Sequence, residues 1–439
     1  MSSTSEEKKK KKEQANLNAS ITSENGDWQH SCHENDSKSK YGTSNTRNAI
    51  GYGATPVKPH WPRSAKVALN FVINYEEGGE MCTLHGDAAS ECLLSDNGPS
   101  TQPYQNERNL NVESMYDYGS RCGFWRLHRL FTSRKIPVTV WAVGMALERN
   151  MEVVGAIKQQ EDWEVSSHGY RWWDYRNIDE NIEREHIQRS IEIHQNLFGK
   201  KPAGLYQGKP SINTRRLAVE TGGFLYDSDA YNDDLPYFTF DYGGEEKKPH
   251  LIIPYSLVEN DMLYTAPNGW SKPDDFLNHL KRTLDYLVLE GRAGQPKMMS
   301  VGLHCRLSRP GRVAALAEFA DYAKSYGREV WITTREDIAN HWYENHLPRG
   351  CGNPIVPGEN GIANYSSYGG NSYASSGNGS GRRDSESSST SPTEATSSSS
   401  RFSFLGNLKA PRNSQEYKDS LKATTKPTSE DIAEEEDVI

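Results

Sequence analysis

The sequence predicts an α/β fold, a β/α barrel flanked by disordered N- and C-terminal tails. Three observations carry this. Short apolar runs alternate with amphipathic stretches across residues 52–346, with no internal repeat and no Gly/Ser linker. The runs are almost continuously apolar, the pattern of strands covered by helices rather than facing water on one side. About seven or eight strand–helix units in some 300 residues suit a closed barrel better than an open dinucleotide sheet, and no GxGxxG follows the first run.

In chain order, strands are expected at 67–74, 138–143, 163–167, 204–206, 224–227, 250–254, 298–304 and 329–333. Helices are expected at 119–133, where Phe124, Leu127, Leu130 and Phe131 share one face, and at 181–198, 214–220, 273–290 and 313–326. Outside this block the composition changes. The chain has 439 residues, of which only 35% are hydrophobic. That is too polar for a single globule, since ordinary domains are roughly 45–50% apolar with glycine counted. Residues 1–48 are rich in Ser, Asn, Lys and Glu and offer little to bury, so they read as a disordered polar tail. The lysine run Lys8 to Lys12 could be a nuclear address, but a solvated charge cluster explains it as well. Residues 349–439 read as a low-complexity Ser/Gly-rich tail with an acidic end. One domain, 49–348, remains.

Charge and targeting features narrow the function classes. The 50 Lys+Arg against 59 Asp+Glu give a net charge of −9, which disfavours nucleic acid or an anionic membrane as partner. No run approaches the roughly 18–20 apolar residues needed to span a bilayer, and the first residues lack an apolar signal core. Six scattered cysteines form no CxxC pair. A cytoplasmic enzyme with a small-molecule substrate is the expectation.

Chemistry in a β/α barrel sits at the C-terminal strand ends, and five ends here are polar. They read Asn74-Tyr75-Glu76-Glu77, Ser166-Ser167-His168-Gly169, Tyr206-Gln207-Gly208-Lys209, Tyr226-Asp227-Ser228-Asp229 and His304-Cys305-Arg306. Each has a bland explanation alone. Two adjacent glutamates are often a solvated turn, His168 could be a hydrogen-bonded structural histidine, Asp227 could cap a turn, Lys209 could be solvated, and Trp172 could simply pack. Together they are hard to explain as loop tips. Adjacent carboxylates suit a general base, because repulsion and burial raise one of them, and imidazole is the usual proton donor near neutral pH.

Laid in order, GYGATPVKPHWP (51–62), NYEEGGE (74–80), LHGDAASE (84–91), YDYGSRCGFWRLHRLF (116–131), GGFLYDSDAYNDDLPY (222–237) and SVGLHCRLSRPGR (300–312) resemble the NodB-type polysaccharide deacetylase superfamily. The resemblance is closest to its metal-independent allantoinase branch, the PuuE type. It implies a distorted β/α barrel and places Glu76 at the superfamily's base, Glu77 at its metal carboxylate and His304 at its general acid. Where sugar deacetylases carry His-x-x-x-His, this chain reads His168-Gly169-Tyr170-Arg171-Trp172. Catalytic zinc normally takes three protein ligands plus water, and an indole supplies no imidazole lone pair. No metal and no other cofactor are therefore expected.

The reaction implied is opening of the hydantoin ring of allantoin to allantoate, a step of purine degradation. In that scheme Glu76 is the base, Glu77 positions or shares the water, and His304 protonates the leaving nitrogen. His168 and Lys209 hold the carbonyl or ureido group, Tyr206 contributes to substrate binding, Trp172 makes a dry wall for the flat ring, and Asp227 orients a partner in the shell behind. The resemblance also implies a homo-oligomer, a homotetramer. The alternatives are an N-deacetylase of chitin or chitooligosaccharides, and a barrel retained only for binding.

Overall fold

The computed structural model describes residues 48–98, 102–240, 242, 248–348 and 351, and the backbone of 355–357 and 363–365. The expected disorder of the N-terminal tail, and nearly all of the C-terminal tail, lie outside the described residues. Within the latter, Ile355–Pro357 and Ala363–Tyr365 pair as an antiparallel ladder.

Nine strands form the main sheet: β1 (Val67–Tyr75), β2 (Thr139–Ala142), β3 (Glu164–Ser167), β4 (Gly204–Leu205), β5 (Tyr226–Asp227), β6 (Tyr237–Thr239), β7 (His250–Ile252), β8 (Lys297–His304) and β9 (Val330–Ile332). Their order is β6-β7-β5-β4-β3-β2-β1-β8, parallel except for the β6–β7 pair, and β9 joins β1. One edge of β1 pairs with β8 along 67–74; the other is shared, β9 at 67–69 and β2 at 72–75. β1 is buried along its whole length, and its period of two separates two environments. Val67, Leu69, Phe71, Ile73 and Tyr75 pack into the main helix-covered core. Ala68 and Val72 belong to the clusters on the opposite face, with Tyr226 and Leu251 and with Trp141, Tyr206 and Tyr255 respectively.

Nine α-helices complete the described unit: α1 (Leu110–Tyr118), α2 (Phe124–Arg134), α3 (Gly144–Arg149), α4 (Met151–Lys158), α5 (Glu180–Phe198), α6 (Thr214–Thr221), α7 (Pro273–Arg292), α8 (Pro310–Ser325) and α9 (Arg335–His346). A π-helical turn, Gly119–Gly123, joins α1 to α2. All eight expected strands are present, with termini shifted by one or two residues. β6 and the helices α1, α3, α4 and α9 are additions to the expected set. α3 and α4 are short and separated only by Asn150, whose side chain caps α4 by accepting from the Val153 N–H. α1 buries only Val112 and Tyr116 and so carries a weak apolar stripe.

The barrel is distorted, as the family resemblance implies, and does not close as strand counting alone suggests. Among the described residues β7 and β8 share no ladder, and the seam is spanned by a single bridge, Asn260 to Gly302. The fully buried Arg335 fills the interior beside it. It donates to Asn70 Oδ1 and Ser300 Oγ on β1 and β8, to Ser228 Oγ, and to the carbonyls of Ile253 and Pro254. Side-chain donors thus replace part of the missing strand–strand pairing.

Candidate active site

Glu76 lies one residue beyond β1 and is the hub of the buried polar cluster at the strand ends. Its Oε1 is 3.1 Å from His168 Nε2 and 3.6 Å from His304 Nε2, and its Oε2 accepts from Arg306 Nη1 at 2.6 Å. Burial alone would raise this carboxyl. Arg306, His304 and the His168 hydrogen bond outweigh burial and hold it well below the usual carboxylate range.

The two imidazoles are fixed from behind. His168 Nδ1 is 2.6 Å from the Tyr206 carbonyl, so both its ring nitrogens face oxygen atoms. His304 Nδ1 is 2.7 Å from Asp261 Oδ1, while the His304 backbone N–H donates to Asp261 Oδ2 at 2.9 Å. Asp261 opens a 3₁₀ turn, Asp261–Thr265, held by the Asn260 side chain accepting from the Met262 N–H. Sequence reasoning singles out neither Asp261 nor Arg306. Asp261 sits in an irregular segment with no periodic signal. Arg306 stands in the strand-end run His304-Cys305-Arg306, and its position two residues beyond His304 is the available clue.

Glu77 faces a different environment. Its Oε2 accepts from the Glu76 N–H at 3.1 Å and its Oε1 from the Arg306 N–H at 2.9 Å, so it splints β1 to the turn after β8. Burial pushes its carboxyl up to about 8, with the charge of Glu76 adding to the effect and Arg306 opposing it. The π-helical turn is shaped around these groups. A Cβ on Gly119 would lie 2.3 Å from Glu77 Oε1, and one on Gly123 would lie 1.8 Å from the Cys305 carbonyl oxygen. The glycines of the YDYGSRCGFW run therefore serve close approach rather than an unusual backbone conformation.

The remaining predicted residues divide. Trp172 is buried with its backbone N–H on the Gly79 carbonyl, and Lys209 Nζ sits 3.4 Å from the centre of its ring. One indole face is thus occupied by an ammonium. Burial lowers the pKa of Lys209, partly offset by Glu91 and Glu76. Tyr206 stacks on Trp141 with centroids 4.2 Å apart and on His168 at 5.1 Å, and its hydroxyl meets Tyr231 at 2.9 Å. It also carries the carbonyl that holds His168. Asp227 belongs to a separate cluster. It pairs with Arg215 at 2.7 Å and His250 at 2.9 Å, and also accepts from the Asp229 N–H. Its ion pairs make it a brace between β5, β7 and α6.

Comparisons with known proteins agree with this geometry. The polysaccharide deacetylase family profile matches residues 105–220. A Schizosaccharomyces pombe protein bearing a polysaccharide deacetylase name is 41% identical over 315 residues, 69% of this chain and 98% of that protein. A crystal structure of a Pseudomonas aeruginosa PAO1 protein named for the same family is 51% identical, covering 69% of this chain and 99% of that one, with TM-score 0.66. The crystal structure of Puue allantoinase is also 51% identical, covering 70% of this chain and 99% of that one, with TM-score 0.67. Its sheet, the polar cluster at its strand ends and its match across nearly all of the Schizosaccharomyces pombe relative place the chain in the NodB-type polysaccharide deacetylase superfamily of hydrolases.

Proposed function

We propose that this protein hydrolyses a cyclic amide, opening the hydantoin ring of allantoin to allantoate, with protein side chains alone at the reacting centre. The observation that carries the reading is the set of partners around Glu76: two imidazoles on one oxygen and a guanidinium on the other. The 51% identity to Puue allantoinase across nearly all of that chain supports the substrate.

The superfamily's sugar deacetylases carry a divalent metal, and the donors here fit one poorly. Glu77, at the place of the metal carboxylate, accepts from the Glu76 and Arg306 backbone N–H groups with the Arg306 guanidinium 3.9 Å away, and His168 Nε2 is engaged by Glu76. Trp172 stands at the position of the second imidazole ligand. Among the described residues no group of three His, Cys, Asp or Glu side chains is arranged to hold a metal. No step is routed through one.

In the proposed reaction Glu76, ionised throughout the working pH range, aligns a water and takes its proton as the oxygen attacks the ring carbonyl. The low proton affinity that Arg306 imposes keeps the proton from resting there. His304, anchored by Asp261, donates its Nε2 proton to the leaving ring nitrogen as the C–N bond breaks, and Glu76 then reprotonates it. His168 is a positioning residue for Glu76, since both its nitrogens are committed. The direct test is allantoin hydrolysis with and without chelator. Chelator-resistant allantoate formation supports the reading. Metal-dependent acetate release from chitooligosaccharides, with no action on allantoin, would replace it with the sugar reaction that the family's name describes.

A further inference from the structure

We infer that Arg306 is a catalytic residue of this reaction, its Nη2 being the donor that takes the oxygen of the scissile carbonyl. The inference rests on the amide-hydrolase reading and deepens it. Without a metal, something else must stabilise the negative charge that develops on that oxygen. The side chain has five N–H donors in a rigid plane, and their partners account for all but one nitrogen. Nε donates to the Leu94 carbonyl at 2.6 Å, and Nη1 donates to Glu76 Oε2 at 2.6 Å. Nη2 is buried and has no hydrogen-bond partner among the described residues.

An orphaned donor on a buried cation is costly, and here it cannot turn away. The Tyr116 ring lies 4.4 Å from the guanidinium carbon and Trp172 lies 5.1 Å from it. The backbone N–H of the same residue is held by Glu77. The plane is thus fixed on three sides, with its free nitrogen on the guanidinium carbon that bonds the Glu76 carboxylate through Nη1. That is the preorganisation an oxyanion donor needs: it is rigid, desolvated and adjacent to the group that aligns the nucleophile. Lys209, also near Trp172, is the other cation at the site. Its ammonium rests on the indole face and is a point charge on a flexible stem, less suited to a directional role.

The test is steady-state allantoin hydrolysis by wild type and by Arg306→Lys. Lysine retains a cation for Glu76 but has no second nitrogen. Expected is a kcat loss of about 10²–10³-fold, with KM changed less than about tenfold and thermal stability close to wild type. Wild-type kcat in that variant, with wild type active, overturns the role of Arg306 and leaves the allantoinase reading intact. Failure of wild type to open allantoin overturns the reading itself. If Arg306→Lys does not fold, Arg306→Ala assayed with added guanidinium reads the same donor. Recovery of turnover that methylammonium does not give supports the inference, and no recovery overturns it.

Discussion

Asp261 grips His304 through both carboxylate oxygens, one on the imidazole Nδ1 at 2.7 Å and one on the residue's own backbone N–H at 2.9 Å. The ring is thereby fixed in rotation, with Nε2 turned toward Glu76. Asp261→Asn can reproduce only one of these contacts, because an amide NH2 facing either N–H is repelled. Expected is a kcat loss of about 10²–10⁴-fold, the range general acid catalysis supplies, with KM little changed. Turnover within a few-fold of wild type would remove His304 from the proton-transfer role.

Glu76→Gln tests the other partner. The amide keeps the shape but accepts no proton and cannot neutralise Arg306. Turnover is expected to fall by roughly 10³-fold or more while circular dichroism stays native. Near-normal rates would transfer the base role elsewhere, and Glu77 is the first candidate.

The π-helical turn makes a steric prediction. Gly119→Ala places a methyl 2.3 Å from Glu77 Oε1, a side-chain atom that can yield, whereas Gly123→Ala drives one into the Cys305 backbone carbonyl at 1.8 Å. Gly119→Ala is expected to lower activity by displacing Glu77 and with it the Arg306 turn, at a cost of about 1–3 kcal/mol. Gly123→Ala should cost more and reduce folded yield. Equal and small effects on melting temperature in the two variants would contradict this account.

Much of this site is legible in the amino-acid sequence. Glu76, His168 and His304 each follow an expected strand, and a parallel barrel gathers such positions at one mouth. What escapes has physical causes. Asp261 lies in a segment whose conformation is set by a side-chain cap and by β8 rather than by any local period. Arg306 reads as a loop arginine because nothing in sequence says that the turn after β8 folds back onto Glu76. Strand-end position singles out Asp227, but nothing in sequence says that its partners are Arg215 and His250. Closure of the barrel escapes for a related reason: strand counting cannot reveal that β7 and β8 meet through one bridge and a buried arginine.

Three raised carboxyls fix the sign of the pH dependence of stability. Burial first, opposed in each case by hydrogen bonds or nearby arginines, leaves Glu77 at about 8 and Glu80 and Asp229 at about 7. In the unfolded chain these groups lose their protons near pH 4, so between pH 6.5 and 8 the native state holds more protons than the unfolded one. Stability must then fall as pH rises through this window, by on the order of 2 kcal/mol. Below it His186, lowered to about 4 by burial, acts oppositely, since the unfolded chain gains a proton there first. Urea midpoints at pH 6.5 and 8.5 decide the matter; a flat or rising trend would show that these carboxyls are ionised in the fold.

Trp172→His, four residues after His168, rebuilds the His-x-x-x-His spacing of the metal-dependent branch, and on the sequence pattern alone it should create a zinc site. The structure argues otherwise. Glu77, the carboxylate that would complete the donor set, is held by the Glu76 and Arg306 backbone N–H groups with the Arg306 guanidinium 3.9 Å away, and Lys209 Nζ rests against the indole that the substitution removes. The fixed Arg306 guanidinium and the Lys209 ammonium would face the incoming ion, and its ligands must first be released from their present partners. Removal of the indole also frees the Lys209 ammonium and uncovers one side of the Arg306 guanidinium. The variant is therefore expected to lose allantoin turnover without gaining stoichiometric zinc or zinc-dependent acetate release. Metal analysis after dialysis against zinc, alongside both assays, checks this. One tightly held zinc per chain with metal-dependent deacetylation would mean that the tryptophan alone separates the two chemistries and that Arg306 does not.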